Sequence, residues 1–196
     1  MKHLKSVLFM MVISALLLAA CGGGSAPADN TGGEATQAPG AGEGNKTATF
    51  IFTQEFDNLN PLYTNQWFTA ITYQLWSCYA WTYDDQNAPV PNLVTELPTT
   101  ENGGISEDGR TLTFKLRDDI VWSDGEPITA DDFVFTYEMT MDPANTVASQ
   151  SPYDQMESVV AADPQTVVVT FTEPFAPWAA TLWKGIIPKH VLQPVF

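Results

Sequence analysis

The chain has 196 residues, with 23 acidic and 8 basic side chains, so its formal net charge is −15 at pH 7. This acidity argues against nucleic-acid binding, which requires clustered Lys and Arg, and against electrostatic docking on anionic lipid. The hydrophobic fraction of 44% and the aromatic fraction of 12% are sufficient for a folded core.

The N-terminus has the layout of a secretory signal peptide. Basic Lys2 and Lys5 precede an apolar run over 7–20, and Leu-Ala-Ala stands directly before Cys21. As a helix the run would reach only about 21 Å, whereas a bilayer core needs about 30 Å. The Leu-Ala-Ala-Cys sequence resembles a bacterial lipobox. This resemblance implies that residues 1–20 are removed and that Cys21 is lipidated.

Residues 21–46 are rich in Gly, Ala, Ser, Thr and Pro and contain hardly any larger apolar side chain. Such a segment cannot bury enough surface to fold, so it predicts a flexible tether with a reach of roughly 25–30 Å. Folded sequence is expected over 47–196. With Cys21 lipidated, only Cys78 remains, which excludes an intramolecular disulfide and suggests a small buried apolar residue.

Hydrophobic periodicity predicts mixed secondary structure in the folded part. Thr47–Thr53 is β-branched and aromatic and predicts a strand, and helical spacing extends from Trp67 to Trp81. A short strand is then expected at Trp81–Tyr83. Alternation over Thr111–Arg117 predicts a half-buried strand.

The C-terminal half adds a helix and a hairpin. Thr129-Ala130-Asp131-Asp132 has the form of a helix N-cap, and Pro143 should end that helix. Two strands around Asp163-Pro164 predict a hairpin, a short helix is expected within 175–183, and 186–192 is a last apolar segment. Because no regular strand–helix alternation occurs, the fold class is α/β of the mixed, α+β kind.

No motif points to catalysis. His190 is the only histidine after the signal sequence, and neither a nucleophile elbow nor a phosphate loop is present. The paired acids at 84–85, 118–119 and 131–132 suit turns and helix caps. We therefore expect no enzyme, no metal site and no cofactor. A surface carbohydrate-binding or hydrolytic lipoprotein remains the alternative, because the chain has six tryptophans and two distant acids could form a glycosidase pair.

Two segments carry a family resemblance. Residues 108–118 (Asp-Gly-Arg-Thr-Leu-Thr-Phe-Lys-Leu-Arg-Asp) and 122–135 (Trp-Ser-Asp-Gly-Glu-Pro-Ile-Thr-Ala-Asp-Asp-Phe-Val-Phe) resemble the signature region of family 5 extracellular solute-binding proteins. These are the oligopeptide, dipeptide and nickel receptors of ABC importers. Further matching segments are Leu59-Asn60-Pro61, Pro91-Asn92-Leu93-Val94, 163–169 and Ile187-Pro188-Lys189-His190.

The resemblance implies a two-lobed periplasmic-binding-protein-like fold, of which 47–196 would be an incomplete first lobe. It also implies a substrate-binding lipoprotein that captures peptides outside the membrane, on the periplasmic or outer face of the cell membrane, and delivers them to an ABC permease. Nickel chelates, sugars and opines are the other solutes that the family takes.

Ligand-facing residues follow from the same resemblance. Position by position, it assigns contacts with the solute to Asn65, Gln66, Trp67 and Tyr153. Trp and Tyr offer a broad rigid surface with one polar group, which suits peptide binding. For Trp67 and Tyr153, packing in the core is an equally good explanation.

Overall fold

The computed structural model of the chain describes residues 48–196. The predicted signal peptide, the lipidation of Cys21 and the tether over 21–46 lie outside the described residues. Among residues 48–196, no helix has the length and apolarity needed to cross a bilayer.

The described chain contains both helices and strands, which confirms the mixed class. The helices are α1 Trp67–Thr72, α2 Ala130–Met141, α3 Trp178–Thr181 and α4 Lys189–Leu192. The strands are β1 Trp81–Tyr83, β2 Pro89–Pro91, β3 Thr111–Lys115, β4 Met156–Asp163 and β5 Thr166–Phe171. Short 3₁₀ turns cover Pro61–Tyr63, Tyr73–Leu75, Tyr153–Gln155 and Gln193–Val195.

An antiparallel sheet with strand order β3-β5-β4 forms the centre of the molecule. Leu112 faces Val169 across the β3–β5 pair, and Phe114 faces Val167. These four side chains are at most 3% exposed, as the alternating pattern requires. Strands β1 and β2 form a separate antiparallel pair. The predicted strand at 111–117 and the hairpin around Asp163-Pro164 are confirmed.

Helix α2 packs against the sheet and begins where the sequence predicts. The Thr129 N–H donates to Asp132 Oδ2 at 2.9 Å, which is the return bond of a capping box. Phe133 is fully buried and packs edge-on against Phe114 with ring centroids 5.5 Å apart. The helix ends at Met141, two residues before Pro143. The predicted N-cap and the predicted C-terminal end of helix α2 are therefore both confirmed.

One predicted strand is missing from the described residues, and the bounds of two predicted helices are wrong. Residues 48–53 are irregular and exposed, since no described segment supplies the hydrogen-bonding partner that a strand needs. The helix predicted to reach Trp81 ends at Thr72, followed by one 3₁₀ turn, because Cys78 pairs with Ile186 as an antiparallel bridge. The helix expected within 175–183 is limited to Trp178–Thr181.

Cys78 is half-buried and packs against the main core. Burial raises the pKa of its thiol, with a smaller contribution from the negative charge of Asp132. The thiol is thereby kept protonated, in agreement with the expected role as an apolar packing residue.

Candidate functional site

A groove of about 170 Å³ brings together two of the residues that the sequence singled out, Asn65 and Tyr153. We call it the Tyr153 groove. Its other lining residues include Tyr73, Thr140, Ser151 and Lys184. The walls thus offer an amide, hydroxyls, aromatic faces and one ammonium group.

The loop that carries Asn65 is held at both of its ends. Asn60 caps the Pro61–Tyr63 turn, with its Oδ1 accepting from the Leu62 N–H at 3.0 Å. Asn65 Nδ2 donates to the carbonyl of Ala148 at 3.1 Å, and the Ala148 N–H donates to the Leu62 carbonyl at 2.7 Å. The groove wall is therefore fixed by hydrogen bonds between segments far apart in sequence.

Tyr153 lies in the 3₁₀ turn Tyr153–Gln155 and is half-buried. Its ring packs edge-on against Trp183, with centroids 5.3 Å apart. Burial raises the pKa of its hydroxyl, so the group stays protonated at neutral pH. The ring thus packs in the core, which was one of the two explanations for this residue, and Tyr153 also lines the groove.

Gln66 and Trp67 do not line the Tyr153 groove. Gln66 is the residue before α1, and its Oε1 accepts from Thr69 Oγ1 at 3.4 Å. Trp67 is 65% exposed and its ring lies 5.9 Å from that of Phe52. Contact of Gln66 and Trp67 with a solute remains a prediction, as it does for Asn65 and Tyr153.

A second groove, of about 360 Å³, lies beside helix α1 and strand β1. We call it the Tyr79 groove, and its lining includes Ile71, Gln74, Tyr79, Tyr83 and Lys184. Trp81 Nε1 and the Tyr83 hydroxyl both donate to the carbonyl of Ala179, at 2.6 and 2.8 Å. These bonds fix the aromatic wall of this groove to helix α3.

Tyr73 and Lys184 line the Tyr153 groove but were not selected from the sequence. The hydroxyl of Tyr73 is enclosed and has no hydrogen-bond partner among residues 48–196. Burial raises its pKa to about 12, with smaller contributions from Tyr79 and Asp57. Lys184 could have been noticed in the sequence, because it is the one charged residue within the largely apolar stretch 175–187.

The backbone around Lys184 is constrained. Trp183 is fully buried and has a φ of +53°, a conformation that bulky residues rarely adopt. At Gly185, a Cβ would come within 3.2 Å of Ser77 Oγ and 3.4 Å of Pro61. The backbone on both sides of Lys184 thus fixes the position of its Cα and Cβ atoms.

In the part of the chain that the structure describes, no three His, Cys, Asp or Glu side chains are grouped to hold a metal ion. The chemistry of both grooves is hydrogen bonding, aromatic contact and one positive charge. Such walls suit reversible binding of a polar organic molecule.

The chain was compared with known families and curated proteins. The family model described as "Bacterial extracellular solute-binding proteins, family 5 Middle" matches residues 88–193, which is more than half of the chain. Protein XP55 of Streptomyces lividans is 40% identical over 101 residues, covering 52% of this chain and 18% of that protein. The oligopeptide-binding protein OppA of Bacillus subtilis is 27% identical over 154 residues, covering 74% and 24%.

Solved structures give the same result. NikZ from Campylobacter jejuni in complex with Ni(L-His) superposes with a TM-score of 0.61 at 26% identity, covering 71% of this chain and 27% of NikZ. Haemophilus influenzae OppA in complex with the peptide RPPGFSPFR gives 0.59 at 28% identity, covering 69% and 29%. The described residues therefore form part of the two-lobed periplasmic-binding-protein-like fold.

The chain spans about a quarter or less of the length of these curated relatives. The family match itself covers β2 through α4, including the sheet, helix α2, Tyr153 and Lys184. The chain belongs to the bacterial extracellular solute-binding proteins of family 5.

Proposed function

We propose that this chain is part of a receptor that captures peptides or peptide-like solutes outside the membrane and delivers them to the permease of an ABC importer. The observation that carries the proposal is the meeting of Asn65 and Tyr153 in one groove. Relatives named as oligopeptide-binding proteins support peptides as the solute class.

The chemistry of the Tyr153 groove fits part of a peptide. A peptide backbone needs both donors and acceptors, which Asn65 and the neighbouring hydroxyls can supply, while Tyr153 offers an aromatic contact. Typical complete ligand pockets measure roughly 300–1,000 Å³. At about 170 Å³, this groove accounts for one portion of a bound peptide.

A thermal-shift panel on the full chain in mild detergent tests the proposal. Tri-alanine should raise the melting temperature in a concentration-dependent way, whereas Ni(L-His), mannopinic acid and an oligosaccharide should not. A shift with one of these three, and none with peptide, would assign the receptor to that solute. Turnover of the oligosaccharide would favour the hydrolytic alternative.

The hydroxyl of Tyr153 can be tested by a change that keeps the aromatic ring. Tyr153→Phe keeps the ring against Trp183 and should weaken peptide binding about three- to tenfold, the effect of one hydrogen bond. Tyr63→Phe is the matched control, because the Tyr63 hydroxyl bonds to Asn145 at 2.7 Å and does not line this groove. Equal affinities for Tyr153→Phe and the wild-type chain would remove this hydroxyl from the site.

We propose further that a lipid on Cys21 anchors the receptor to the outer side of a membrane, with 21–46 as the tether. The Leu-Ala-Ala-Cys sequence supports this proposal. In a bacterial host fed with a clickable fatty acid, the chain should take up the label and sediment with membranes. Cys21→Ser should lose both properties, and Cys78→Ser should keep them. Labelling of Cys21→Ser would contradict the assignment.

A further inference from the structure

The Tyr153 and Tyr79 grooves share one wall residue, Lys184. Among the described residues that line the two grooves, none is Asp or Glu, although the chain has 23 of these. Lysine carries its charge on a flexible four-carbon stem, so its ammonium can turn toward either groove. Among residues 48–196, Lys184 is therefore the one charged side chain in the walls of both grooves.

Within residues 48–196, no carboxylate forms an ion pair with Lys184. Four other basic side chains are paired: Arg110 with Glu157, Arg117 with Asp119, Lys189 with Asp131, and His190 with Asp124. Within residues 48–196, only Lys184 and the exposed Lys115 have no such partner. In a chain with net charge −15, most surfaces repel an anion. A free cation in a wall without carboxylates is therefore a local exception to the charge of the molecule.

Tyr73, which also lines the Tyr153 groove, carries a second unmet donor among the described residues. Its enclosed hydroxyl has no hydrogen-bond partner in the described part of the chain. Enclosed polar groups are nearly always paired, and leaving one unpaired costs about 1–3 kcal/mol. Since the hydroxyl is protonated, an acceptor oxygen from a bound molecule would satisfy it.

The backbone holds Lys184 in place at a conformational cost. The positive φ of Trp183 is unfavourable for a bulky side chain, and Gly185 is closely packed against Pro61 and Ser77. Strain of this kind is concentrated at ligand sites, where it fixes a contacting group. This observation is independent of the charge and of the tyrosine hydroxyl.

Building on the proposed receptor function, we propose that Lys184 and the Tyr73 hydroxyl bind a carboxylate of the solute. The receptor is thereby selective for acidic peptides, with Lys184 as the residue that determines specificity. The ammonium supplies a charge-assisted hydrogen bond and Tyr73 supplies a neutral one.

The experiment uses calorimetric titration of the full chain with matched peptides. Ala-Glu-Ala and Ala-Gln-Ala differ in a side-chain carboxylate, while tri-alanine and its C-terminal amide differ in the terminal one. Ala-Glu-Ala should bind about tenfold or more tightly than Ala-Gln-Ala, the scale of a charge-assisted hydrogen bond. A difference confined to tri-alanine and its amide would place the terminal carboxylate at Lys184 and overturn the selectivity for acidic peptides.

Three variants test whether Lys184 and Tyr73 cause the preference for the acid form. Lys184→Met should abolish the preference for the acid form, and Lys184→Arg should keep most of it. Tyr73→Phe should reduce the preference, since it removes only the hydroxyl. Lys115→Met is the matched control, because it makes the same change in net charge at an exposed lysine that lines neither groove.

If peptides bind but the acid-to-amide ratio is the same for Lys184→Met and the wild-type chain, the carboxylate site is overturned and peptide capture stands. If no peptide binds, peptide capture is overturned. Binding of glutarate, a small dicarboxylate, then tests whether Lys184 and Tyr73 form a carboxylate site. NMR shifts of Lys and Tyr side-chain signals with glutarate, lost in Lys184→Met, would support it. No such shifts would overturn both proposals.

Discussion

At the scale of single residues, the contact between His190 and Asp124 responds to pH. Nε2 of His190 lies 2.8 Å from Oδ2 of Asp124, which joins helix α4 to the turn at 123–126. The hydrogen bond with Asp124 raises the pKa of His190 above its ordinary value of 6.5, and Asp132 and Glu126 add smaller contributions of the same sign. The same bond lowers the pKa of Asp124 below 3.8.

These directions predict how stability depends on pH. The raised pKa of His190 contributes stability that is full below pH 6.5 and is lost as the pH rises through the folded-state value. The lowered pKa of Asp124 contributes stability that is present above pH 3.8 and is lost in stronger acid. Urea denaturation should therefore find the contribution of this pair to be larger at pH 5.5 than at pH 8.5.

His190→Gln and Asp124→Asn should each reduce the difference in stability between the two pH values. Both side chains are partly solvent-exposed, so the effect is small and should weaken further in high salt. A pH dependence that is unchanged in both variants would show that other groups cause it.

At the scale of elements, the start of helix α2 depends on Asp132. This carboxylate is buried and accepts from the backbone N–H of Thr129 and from that of Lys189, both at 2.9 Å. It thus connects the beginning of α2 to the beginning of α4. The neighbouring Asp131 is exposed and makes only a 3.6 Å ion pair with Lys189.

Asp132→Ala should lower the free energy of unfolding by about 2–4 kcal/mol, because two backbone donors lose a charged acceptor and helix α2 loses the return bond of its capping box. Asp131→Ala is the matched control, with an expected loss below about 1 kcal/mol. Urea denaturation measures both variants. Equal losses would mean that the two bonds of Asp132 contribute little.

The elements also separate what the sequence could predict from what it could not. Strand β3, helix α2 and the β4–β5 hairpin follow from local signals: alternation, a capping box and a turn at Asp163-Pro164. Residues 48–53 carry a strand pattern but lack a partner among the described residues, and pairing is a non-local property. A local pattern therefore predicted a strand that the described structure does not contain.

The candidate site follows the same division. The family resemblance pointed to Asn65 and Tyr153, but only the folded chain brings them into one groove. Tyr73 and Lys184 belong to no motif. They are recognisable only from their surroundings, because within residues 48–196 the enclosed Tyr73 hydroxyl has no hydrogen-bond partner and Lys184 has no ion pair. Both properties depend on neighbours that are distant in the sequence.

At the scale of the molecule, the chain presents an extended aromatic surface. We define it by Phe52, Phe56, Trp67, Phe68 and Trp76. The centroids of neighbouring rings are 4.7–5.9 Å apart. Phe68 is half-buried, and the other four side chains are exposed. Contiguous exposed apolar surface of this kind is unusual for a protein that is monomeric in water.

This aromatic surface should bind the dye ANS and promote concentration-dependent association of the chain. The double variant Phe52→Ser/Trp67→Ser should reduce both the dye fluorescence and the mass measured by light scattering. Val160→Ser is a control, since Val160 is 51% exposed and lies on β4, outside the surface. The same dye signal from the double variant and the wild-type chain would exclude the aromatic surface as its source.

The strand order β3-β5-β4 has a consequence for how the protein can be made. A polypeptide that leaves a ribosome or a translocation channel does so N-terminus first, so β3 is released well before its neighbour β5. Until Phe171 has followed, Leu112 and Phe114 lack β5, the strand that pairs with β3 along its whole length. The pairing of β3 with β5 therefore forms late. Chains of which fewer than 171 residues have been released are the ones that a holding chaperone should retain.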